Sequence, residues 1–232
     1  ERLYNRYQSA GWQEHTDMLR THYRMHDEIA ALVAATYNNL LESARDSQKQ
    51  ALEEQDSLEM FNKRLLWIEC PASTEDYYDP LQVQIINKLI QSFQAKGYIN
   101  DPERDLGIVA PFRAMIYALR KELTGFTIYT VERFQGSERR IIILCLPLRK
   151  ASMLKNLQSL NEDGQVDRKL NVALSRAIDR LIIVGNSSIC RKAKHFNDLY
   201  KHIRANGIIT NYQEIGVTNG KPNTSEPTEH QD

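Results

Sequence analysis

The stretch Ile141-Ile142-Ile143-Leu144-Cys145-Leu146 is a continuous apolar run, and it indicates the fold class more clearly than any other part of the chain. Such a short run, rich in β-branched residues, is typical of a strand with two buried faces. Further apolar runs at residues 65–68, 106–110, 126–129 and 181–184 predict four more strands of this kind. Strands buried on both faces occur in parallel sheets that helices cover on either side.

Helical patterns separate most of these runs. Residues 81–93 and 112–123 carry apolar side chains at i, i+3 and i+4 spacing, and a similar stripe at residues 29–41 precedes the first strand. Parallel neighbours in a sheet need crossover connections, which helices usually provide. The alternation therefore predicts an α/β fold in which helices cover both faces of a mostly parallel sheet.

The length and composition fit one globular unit of 232 residues, with 41% hydrophobic and 26% charged residues. We expect a lobe at residues 1–217, with residues 42–64 as an insertion or arm. The polar residues 218–232 cannot bury enough surface to order themselves, so we expect a disordered tail there.

Several classes of protein are disfavoured by the composition. No apolar run approaches the roughly 20 residues of a membrane span, and no signal-peptide pattern opens the chain, so we expect no membrane partner. The three cysteines, Cys70, Cys145 and Cys190, have no CxxC or Cys/His spacing, which argues against a disulfide framework or a zinc site. We therefore expect an intracellular protein, in the cytoplasm or the nucleus.

The charge is balanced over the whole chain but not along it. The net charge is zero, yet residues 139–194 hold twelve basic and four acidic residues, a local net charge of +8. Arg149 and Lys150 lie in a polar connection between two predicted strands, where they could contact a phosphate backbone. A solvated surface is the alternative explanation for such a run.

Ligands of an open parallel sheet bind beyond the carboxyl ends of its strands, and residues 130–138 follow one such end. Thr130 and Gln135 can hydrogen-bond a phosphate or a base, and Gly136 permits close backbone approach. Glu138 can accept hydrogen bonds from ribose hydroxyls or hold a cationic neighbour. Composition alone also allows an ordinary polar loop at this position.

Four segments, in order, resemble those of a known family. Tyr23-Arg24-Met25-His26 resembles motif IV of the superfamily 1 helicases, and Pro111-Phe112-Arg113 resembles a Pro-Tyr-Arg segment of that family. Residues 130–138, Thr-Val-Glu-Arg-Phe-Gln-Gly-Ser-Glu, resemble motif V, and residues 170–177, Leu-Asn-Val-Ala-Leu-Ser-Arg-Ala, resemble motif VI. The resemblance is to the branch of the nonsense-mediated-decay and Okazaki-flap helicases, and specifically to the second, carboxyl-terminal RecA-like lobe.

The resemblance implies a RecA-like three-layer sandwich and a role for each matched residue. Arg24 and Arg176 would be the catalytic arginines that neutralise charge on the γ-phosphoryl group of ATP. The nucleotide-facing residues would be Tyr23, Gln135, Gly136 and Glu138. The residues facing single-stranded DNA or RNA would be Pro111, Arg113 and Thr130, to which the basic stretch adds Arg149 and Lys150.

Each of these residues also has a purely structural explanation. An arginine such as Arg176 usually snorkels over apolar neighbours on a helix surface, and Arg24 could be a solvated residue at a helix entry. Tyr23 could be a hydrophobic staple at the start of a helix instead of an adenine-stacking residue. His22 and His26 have no carboxylate or cysteine cluster at ligand spacing, so we expect no metal site on this chain.

The sequence contains no G-x-x-x-x-G-K-[ST] phosphate loop. ATP and most ligands of its Mg²⁺ would therefore be held by an amino-terminal RecA-like lobe of the same polypeptide, and we expect this chain alone to be inactive as an ATP-dependent helicase. The alternative is a non-catalytic nucleic-acid-binding or regulatory module on a RecA-like scaffold. A nuclease is disfavoured, because no compact Asp/Glu/Lys cluster occurs on a predicted hairpin.

Overall fold

A six-stranded parallel sheet is the centre of the molecule. The computed structural model describes residues 6, 9–11, 20–52 and 59–217. The strands of the sheet are β3 (Leu65–Glu69), β4 (Leu106–Val109), β5 (Thr127–Tyr129), β6 (Arg139–Leu146), β7 (Ala177–Gly185) and β8 (Ile208–Asn211). Their spatial order is β5-β4-β6-β7-β3-β8. All of the neighbouring pairs are parallel, which confirms the predicted α/β fold.

Two shorter strands and several helices surround this sheet. The two-residue strands β1 (Thr21–His22) and β2 (Glu42–Ser43) pair with each other in parallel. The α-helices are α1 (Asp27–Val33), α2 (Pro80–Ala95), α3 (Pro102–Asp105), α4 (Arg113–Glu122), α5 (Arg168–Leu174), α6 (Ser187–Cys190) and α7 (Lys194–Asn206). Short 3-10 segments occupy Ala34–Tyr37, Asp46–Lys49, Glu59–Asn62, Ala151–Asn156 and Tyr212–Ile215.

Apolar side chains from alternate strand positions form two cores, one on each face of the sheet. Helices α2 and α4 pack on one face, over Ile141 and Ile143 of β6. Helices α1, α5 and α7 pack on the other face, over Ile142 and Leu144. Because successive residues of a strand point to opposite faces, an apolar run in β6 supplies both cores at once. The predicted three-layer sandwich is thereby confirmed.

The helix starts follow ordinary capping rules. The Asp79 side chain accepts hydrogen bonds from the backbone N–H groups of Leu81 and Gln82, and Pro80 occupies the first helical position of α2. Asp167 caps α5 in the same way through Lys169 and Leu170. The capped segments are those whose apolar spacing predicts helices or, for α5, the segment that resembles motif VI.

The five predicted strands are confirmed, but the sequence analysis misses β8 at the edge of the sheet. This strand holds only two adjacent apolar residues, Ile208 and Ile209, which is too short a run to stand out. Gly207 comes directly before it, and a Cβ atom there would lie 2.2 Å from the backbone oxygen of Leu65. The close approach that only glycine allows brings β8 beside β3.

The apolar stripe at residues 29–41 forms a shorter helix than its spacing predicts. Helix α1 ends at Val33 and continues as the 3-10 segment Ala34–Tyr37. Asn38 and Asn39 then adopt left-handed backbone conformations, with φ angles of 52° and 57°. Asparagine tolerates this conformation better than most residues, so the pair ends the helix and directs the chain into β2.

The proposed boundaries at residues 42–64, 1–217 and 218–232 stay predictions. The described part of the first range is packed against the lobe: β2 pairs with β1, and the Gln48 side chain is buried. Residues 53–58 and the predicted tail at 218–232 lie outside the described residues. None of the helices in the described ranges is long and apolar enough to cross a membrane.

The connection 130–138 is the feature of the fold that matters most for the candidate site. It leaves the carboxyl end of β5 and enters the amino end of β6, so it passes β4, which lies between them. Phe134, in the middle of this segment, is fully buried on the same face as α1, α5 and α7. A Cβ atom on Gly107 of β4 would lie 2.4 Å from Cζ of the Phe134 ring. Gly107 therefore makes room for the ring that anchors the connection.

This contact predicts whether replacing Gly107 by alanine raises or lowers the free energy of unfolding. Alanine in a strand is normally favoured over glycine by about 0.5–1 kcal/mol. At Gly107 we expect the opposite, because the added methyl group would overlap the buried ring and lower the free energy of unfolding by about 1–3 kcal/mol. Denaturant unfolding of Gly107→Ala, alone and combined with Phe134→Leu, measures the effect. The shorter leucine should reduce the cost of Gly107→Ala, whereas an equal cost in both backgrounds would contradict the packing.

Candidate functional site

The predicted site residues lie at the two opposite ends of the parallel strands. We call these the carboxyl edge and the amino edge of the sheet, after the strand ends that form them. Pro111 and Thr130 follow the carboxyl ends of β4 and β5, and Arg149 follows that of β6. Glu138 and Arg176 come directly before β6 and β7, at the amino edge. The expectation that all of residues 130–138 lies beyond strand carboxyl ends is therefore wrong for its second half. The chain must return to the amino edge before β6 can run parallel to β5.

At the amino edge, Arg24, Glu138 and Arg176 form a cluster. Nε of Arg24 donates a hydrogen bond to the Glu138 carboxylate. The Arg176 guanidinium donates to the backbone oxygen of Val172 at 3.0 Å, to that of Ser137 at 3.3 Å and to Oγ of Ser175 at 3.1 Å. Residues that are far apart in the chain, in the segments that resemble motifs IV, V and VI, therefore meet at one place.

The electrostatics of Arg176 favour an anion beside it. Its pKa is lowered, first because the half-buried guanidinium loses water and then because Arg24 brings a second positive charge. Glu138 and Tyr37 oppose this shift. Within the described residues no carboxylate oxygen lies within 4 Å of Arg176, and its hydrogen bonds use three of the five guanidinium N–H groups. Two N–H groups remain for an anionic oxygen.

Arg24 is held in place by a network on either side of it. The backbone N–H of His26 donates to the oxygen of Ile178 at 2.8 Å, which ties the segment to β7. The buried Gln48 amide donates to the backbone oxygens of Met25, at 2.8 Å, and His22, at 3.3 Å. His26 also caps α1, since its Nδ1 accepts a hydrogen bond from the backbone N–H of Glu28. Gln48 is a positioning residue that the sequence analysis misses.

The remaining nucleotide-facing candidates surround this cluster. The Tyr23 side chain is 65% exposed and the Arg45 guanidinium lies 5.7 Å from its ring centroid, so it does not act as a buried staple for α1. Gln135 is exposed, and Gly136 has a φ of 85°. Among the described residues, a Cβ atom on Gly136 would meet nothing within 4 Å, so the backbone conformation of the turn is what requires the glycine.

The carboxyl edge carries the nucleic-acid candidates. Arg113, Arg149 and Lys150 are exposed there, and Nη1 of Arg149 lies 3.8 Å from Oδ1 of Asp76. Oγ1 of Thr130 accepts a long hydrogen bond, 3.4 Å, from the backbone N–H of Arg133. These side chains come from the ends of three different strands, which a parallel sheet brings to a common edge.

An exposed aromatic residue that the sequence analysis does not consider also lies at this edge. Tyr77 adopts a left-handed φ of 65°, is 47% exposed, and packs edge-on against Phe112 with 4.9 Å between ring centroids. A left-handed backbone is costly for a tyrosine. The loop after β3 that carries Tyr77 is tied to the end of β6, where the N–H of Ser73 donates to the oxygen of Leu148. Nothing in the local sequence reveals this placement.

The amino-edge cluster has cationic chemistry that suits phosphate oxygens. Two guanidinium groups with N–H groups to spare suit phosphate oxygens. In the described ranges there is no group of three or more His, Cys, Asp or Glu side chains that could hold a metal. The free cysteines Cys70, Cys145 and Cys190 are buried, and burial raises the pKa of each thiol. They have the character of core residues.

Comparison with known proteins gives a consistent result. Residues 1–188 match the family model described as "AAA domain". The chain is 30% identical over 145 residues to "Putative helicase MOV-10" of Gallus gallus, covering 56% of this chain and 15% of that protein. It is 30% identical over 218 residues to "Probable helicase DDB_G0274399" of Dictyostelium discoideum, covering 88% and 21%.

A third similar protein is "Regulator of nonsense transcripts 1" of Dictyostelium discoideum, which is 27% identical over 249 residues and covers 95% of this chain and 17% of that protein. The chain thus spans about a fifth or less of the length of these three curated relatives.

The position of Gln48 under Arg24 predicts a measurable cost. Gln48→Ala would remove the side-chain donor to the backbone oxygen of Met25 and one of the two donors to that of His22, which keeps the N–H of Ala44, and we expect a loss of about 1–3 kcal/mol in the free energy of unfolding. Gln91→Ala is the matched control, because the Gln91 side chain is exposed and donates a hydrogen bond to Asn87 on its own helix. Denaturant unfolding measures both variants, and equal small changes would contradict a positioning role for Gln48.

Proposed function

Because this chain belongs to the AAA domain family and is a second RecA-like lobe of the superfamily 1 helicase type, we propose that it completes an ATP-hydrolysing site and carries part of a track for single-stranded DNA or RNA. ATP is bound mainly by an amino-terminal RecA-like lobe of the same polypeptide. The observation that carries this proposal is the meeting of Arg24, Glu138 and Arg176 at the amino edge of the sheet.

The two arginines act on charge that develops during phosphoryl transfer. Bound MgATP supplies the reactive phosphate, and negative charge spreads over the oxygens of the transferred group. Arg176 presents its remaining N–H groups to those oxygens, in a place where it has already lost part of its water. Arg24 adds a second cation, and Glu138 orients it through their ion pair. Cations placed in advance stabilise the transition state more than the ground state.

The other nucleotide-facing residues shape the same edge. Tyr23 stacks near the adenine, since its largely exposed ring can present a face to a base. Gln135 and Gly136 form the exposed turn between Phe134 and Glu138, where the amide of Gln135 can hydrogen-bond the nucleotide. The Mg²⁺ ligands come mainly from the amino-terminal lobe.

A single nucleic-acid strand lies along the carboxyl edge. Thr130 and Pro111 contact the strand at the ends of β5 and β4, and Arg113, Arg149 and Lys150 contact its phosphates. The distance between the two edges is bridged by residues 130–138, so nucleotide and strand each contact one end of the same segment. An intracellular location, in the cytoplasm or the nucleus, goes with this proposal, since the described cysteines are all free.

The strongest prediction concerns Arg176. In a polypeptide that joins this chain to the lobe with the phosphate loop, we expect Arg176→Ala to lower MgATP turnover at least about a hundredfold. The affinity for ATP should change much less, because the arginine acts mainly in the transition state. Arg176→Lys should restore little, since an ammonium group cannot replace the planar guanidinium fork. Steady-state hydrolysis and equilibrium binding of ATP measure the two effects.

Arg204→Ala is the control for that experiment, because Arg204 is exposed on α7 and belongs to none of the segments that resemble helicase motifs. The 232-residue chain alone serves as a blank and should not turn over ATP. Near-normal turnover by Arg176→Ala would remove this residue from the mechanism. Nucleic-acid binding by a full-length polypeptide with no ATP turnover at all would favour a non-catalytic module instead.

A second prediction separates the two edges. Thr130→Ala should weaken nucleic-acid-stimulated hydrolysis more than basal hydrolysis, because Thr130 lies at the carboxyl edge and the arginines lie at the amino edge. Turnover of the two-lobe polypeptide, measured with and without a single-stranded oligonucleotide, gives both rates. Equal loss of the two rates would mean that Thr130 acts on the nucleotide side or on stability.

A further inference from the structure

A groove at the edge of the sheet has the chemistry of a further nucleic-acid site. It lies between α4 and the edge strand β5, beside Thr130, and encloses about 430 Å³. The polar and aromatic residues that line it are Arg113, Tyr117, Arg120, Tyr129, Thr130 and Arg133. Arg113, Thr130 and Arg133 belong to the segments that resemble helicase motifs, and of these only Arg113 and Thr130 are already assigned to the nucleic-acid track.

The positive charge of this groove is uncompensated. Arg113, Arg120 and Arg133 are all exposed, and none has a carboxylate within 4 Å in the part of the chain that the structure describes. Two of the three are positioned by an aromatic ring, since the guanidinium carbons of Arg133 and Arg120 lie 4.4 Å and 5.3 Å from the centroid of Tyr129. Three guanidinium groups without counter-ions make a strong site for phosphate.

Arg120 has one further constraint. Its Nη2 donates to the backbone oxygen of Ile128 at 2.6 Å, which ties α4 to β5. The ring of Tyr129 and the chain of β5 therefore hold Arg120 and Arg133 in place before any ligand arrives. A site formed in advance loses less conformational entropy when it binds.

Tyr117 adds an aromatic surface beside these cations. Its side chain is 75% exposed, and among the described residues its ring has no aromatic or cationic partner. It lies one helical turn after Arg113, whereas Met115, Ile116 and Leu119 form the buried face of α4. Side chains four residues apart lie on the same side of a helix, so Tyr117 and Arg113 line the groove from the same side of α4.

We propose that this groove binds single-stranded nucleic acid where the strand leaves the lobe past Thr130, with a base stacked on Tyr117 and phosphates held by Arg113, Arg120 and Arg133. The combination of unpaired cations and a free aromatic face is what a single strand recognises, because its bases are available for stacking and those of a duplex are not. The proposal rests on the proposed function, and it lengthens the nucleic-acid track beyond the residues assigned to it there.

The test removes the ring of Tyr117 and the bases of the ligand, separately and together, and compares the binding affinities. The full-length polypeptide that contains this chain is titrated, without nucleotide, into fluorescein-labelled dT12 and into an abasic oligomer with the same number of phosphates. The wild type should bind dT12 more tightly than the abasic oligomer. Tyr117→Ala should weaken dT12 binding about tenfold, with little change for the abasic oligomer. Tyr117→Phe, which keeps the ring, should bind dT12 like the wild type.

The role of the arginines is tested by the salt dependence of the affinity for dT12. Arg133→Gln or Arg120→Gln should each reduce the slope of log affinity against log salt concentration by about 0.7. Arg204→Gln, on α7, should leave the slope unchanged. Thermal unfolding of each variant identifies any loss of the contacts with Tyr129 or Ile128. An unchanged slope in a folded Arg133→Gln variant would exclude this arginine from phosphate contact.

The outcomes separate this inference from the proposed function. If Thr130→Ala weakens dT12 binding but Tyr117→Ala does not, the groove is no part of the track and the inference is overturned while the helicase proposal stands. Equal weakening of dT12 and abasic binding by Tyr117→Ala would overturn base stacking. If Tyr117→Ala no longer prefers dT12 to the abasic oligomer while Arg176→Ala turns over ATP normally, the groove is supported and the catalytic role of Arg176 is contradicted.

Discussion

The packing of Phe134 over Gly107 is the contact on which the candidate site depends. All six strands of the main sheet run the same way, so each connection must return from the carboxyl edge to the amino edge. Residues 130–138 do so without a regular helix, and a single buried ring holds them against β4. Thr130 at one edge and Glu138 at the other are therefore the two ends of one anchored segment.

The arginines of this chain fall into two groups by their partners. Arg64 is buried and paired with Asp179, and Arg180 is buried and donates to the backbone oxygen of Phe61. Such pairs are satisfied within the fold. Arg176 instead has neutral hydrogen-bond partners, and the positive charge of Arg24 lowers its pKa more than the Glu138 carboxylate raises it. The groove beside β5 holds three more arginines that have no carboxylate within 4 Å among the described residues. An external anion gains the most binding energy beside arginines whose charge no carboxylate of the fold balances.

Sequence reasoning recovered the elements whose apolar pattern is long, and it lost those whose placement depends on distant contacts. The run at residues 141–146 reveals its strand, whereas β8 depends on Gly207 fitting against Leu65.

The motif resemblance points to Arg24, Glu138 and Arg176, and the structure brings these three residues together. Tyr77, Tyr117 and Gln48 were missed, because an exposed tyrosine or a buried glutamine has no local signature. The strand-end rule placed Thr130 correctly and Glu138 at the wrong edge.

If residues 130–138 couple the two edges energetically, a bound nucleotide changes the affinity for nucleic acid, and nucleic acid changes the affinity for the nucleotide by the same factor, because coupling between two sites is reciprocal. We would measure the affinity of the two-lobe polypeptide for dT12 with and without a non-hydrolysable ATP analogue, for the wild type and for Arg176→Ala. We predict that Arg176→Ala keeps the nucleotide-free affinity for dT12 but loses the change that the analogue causes. An Arg176→Ala variant that responds to the analogue like the wild type would contradict the link.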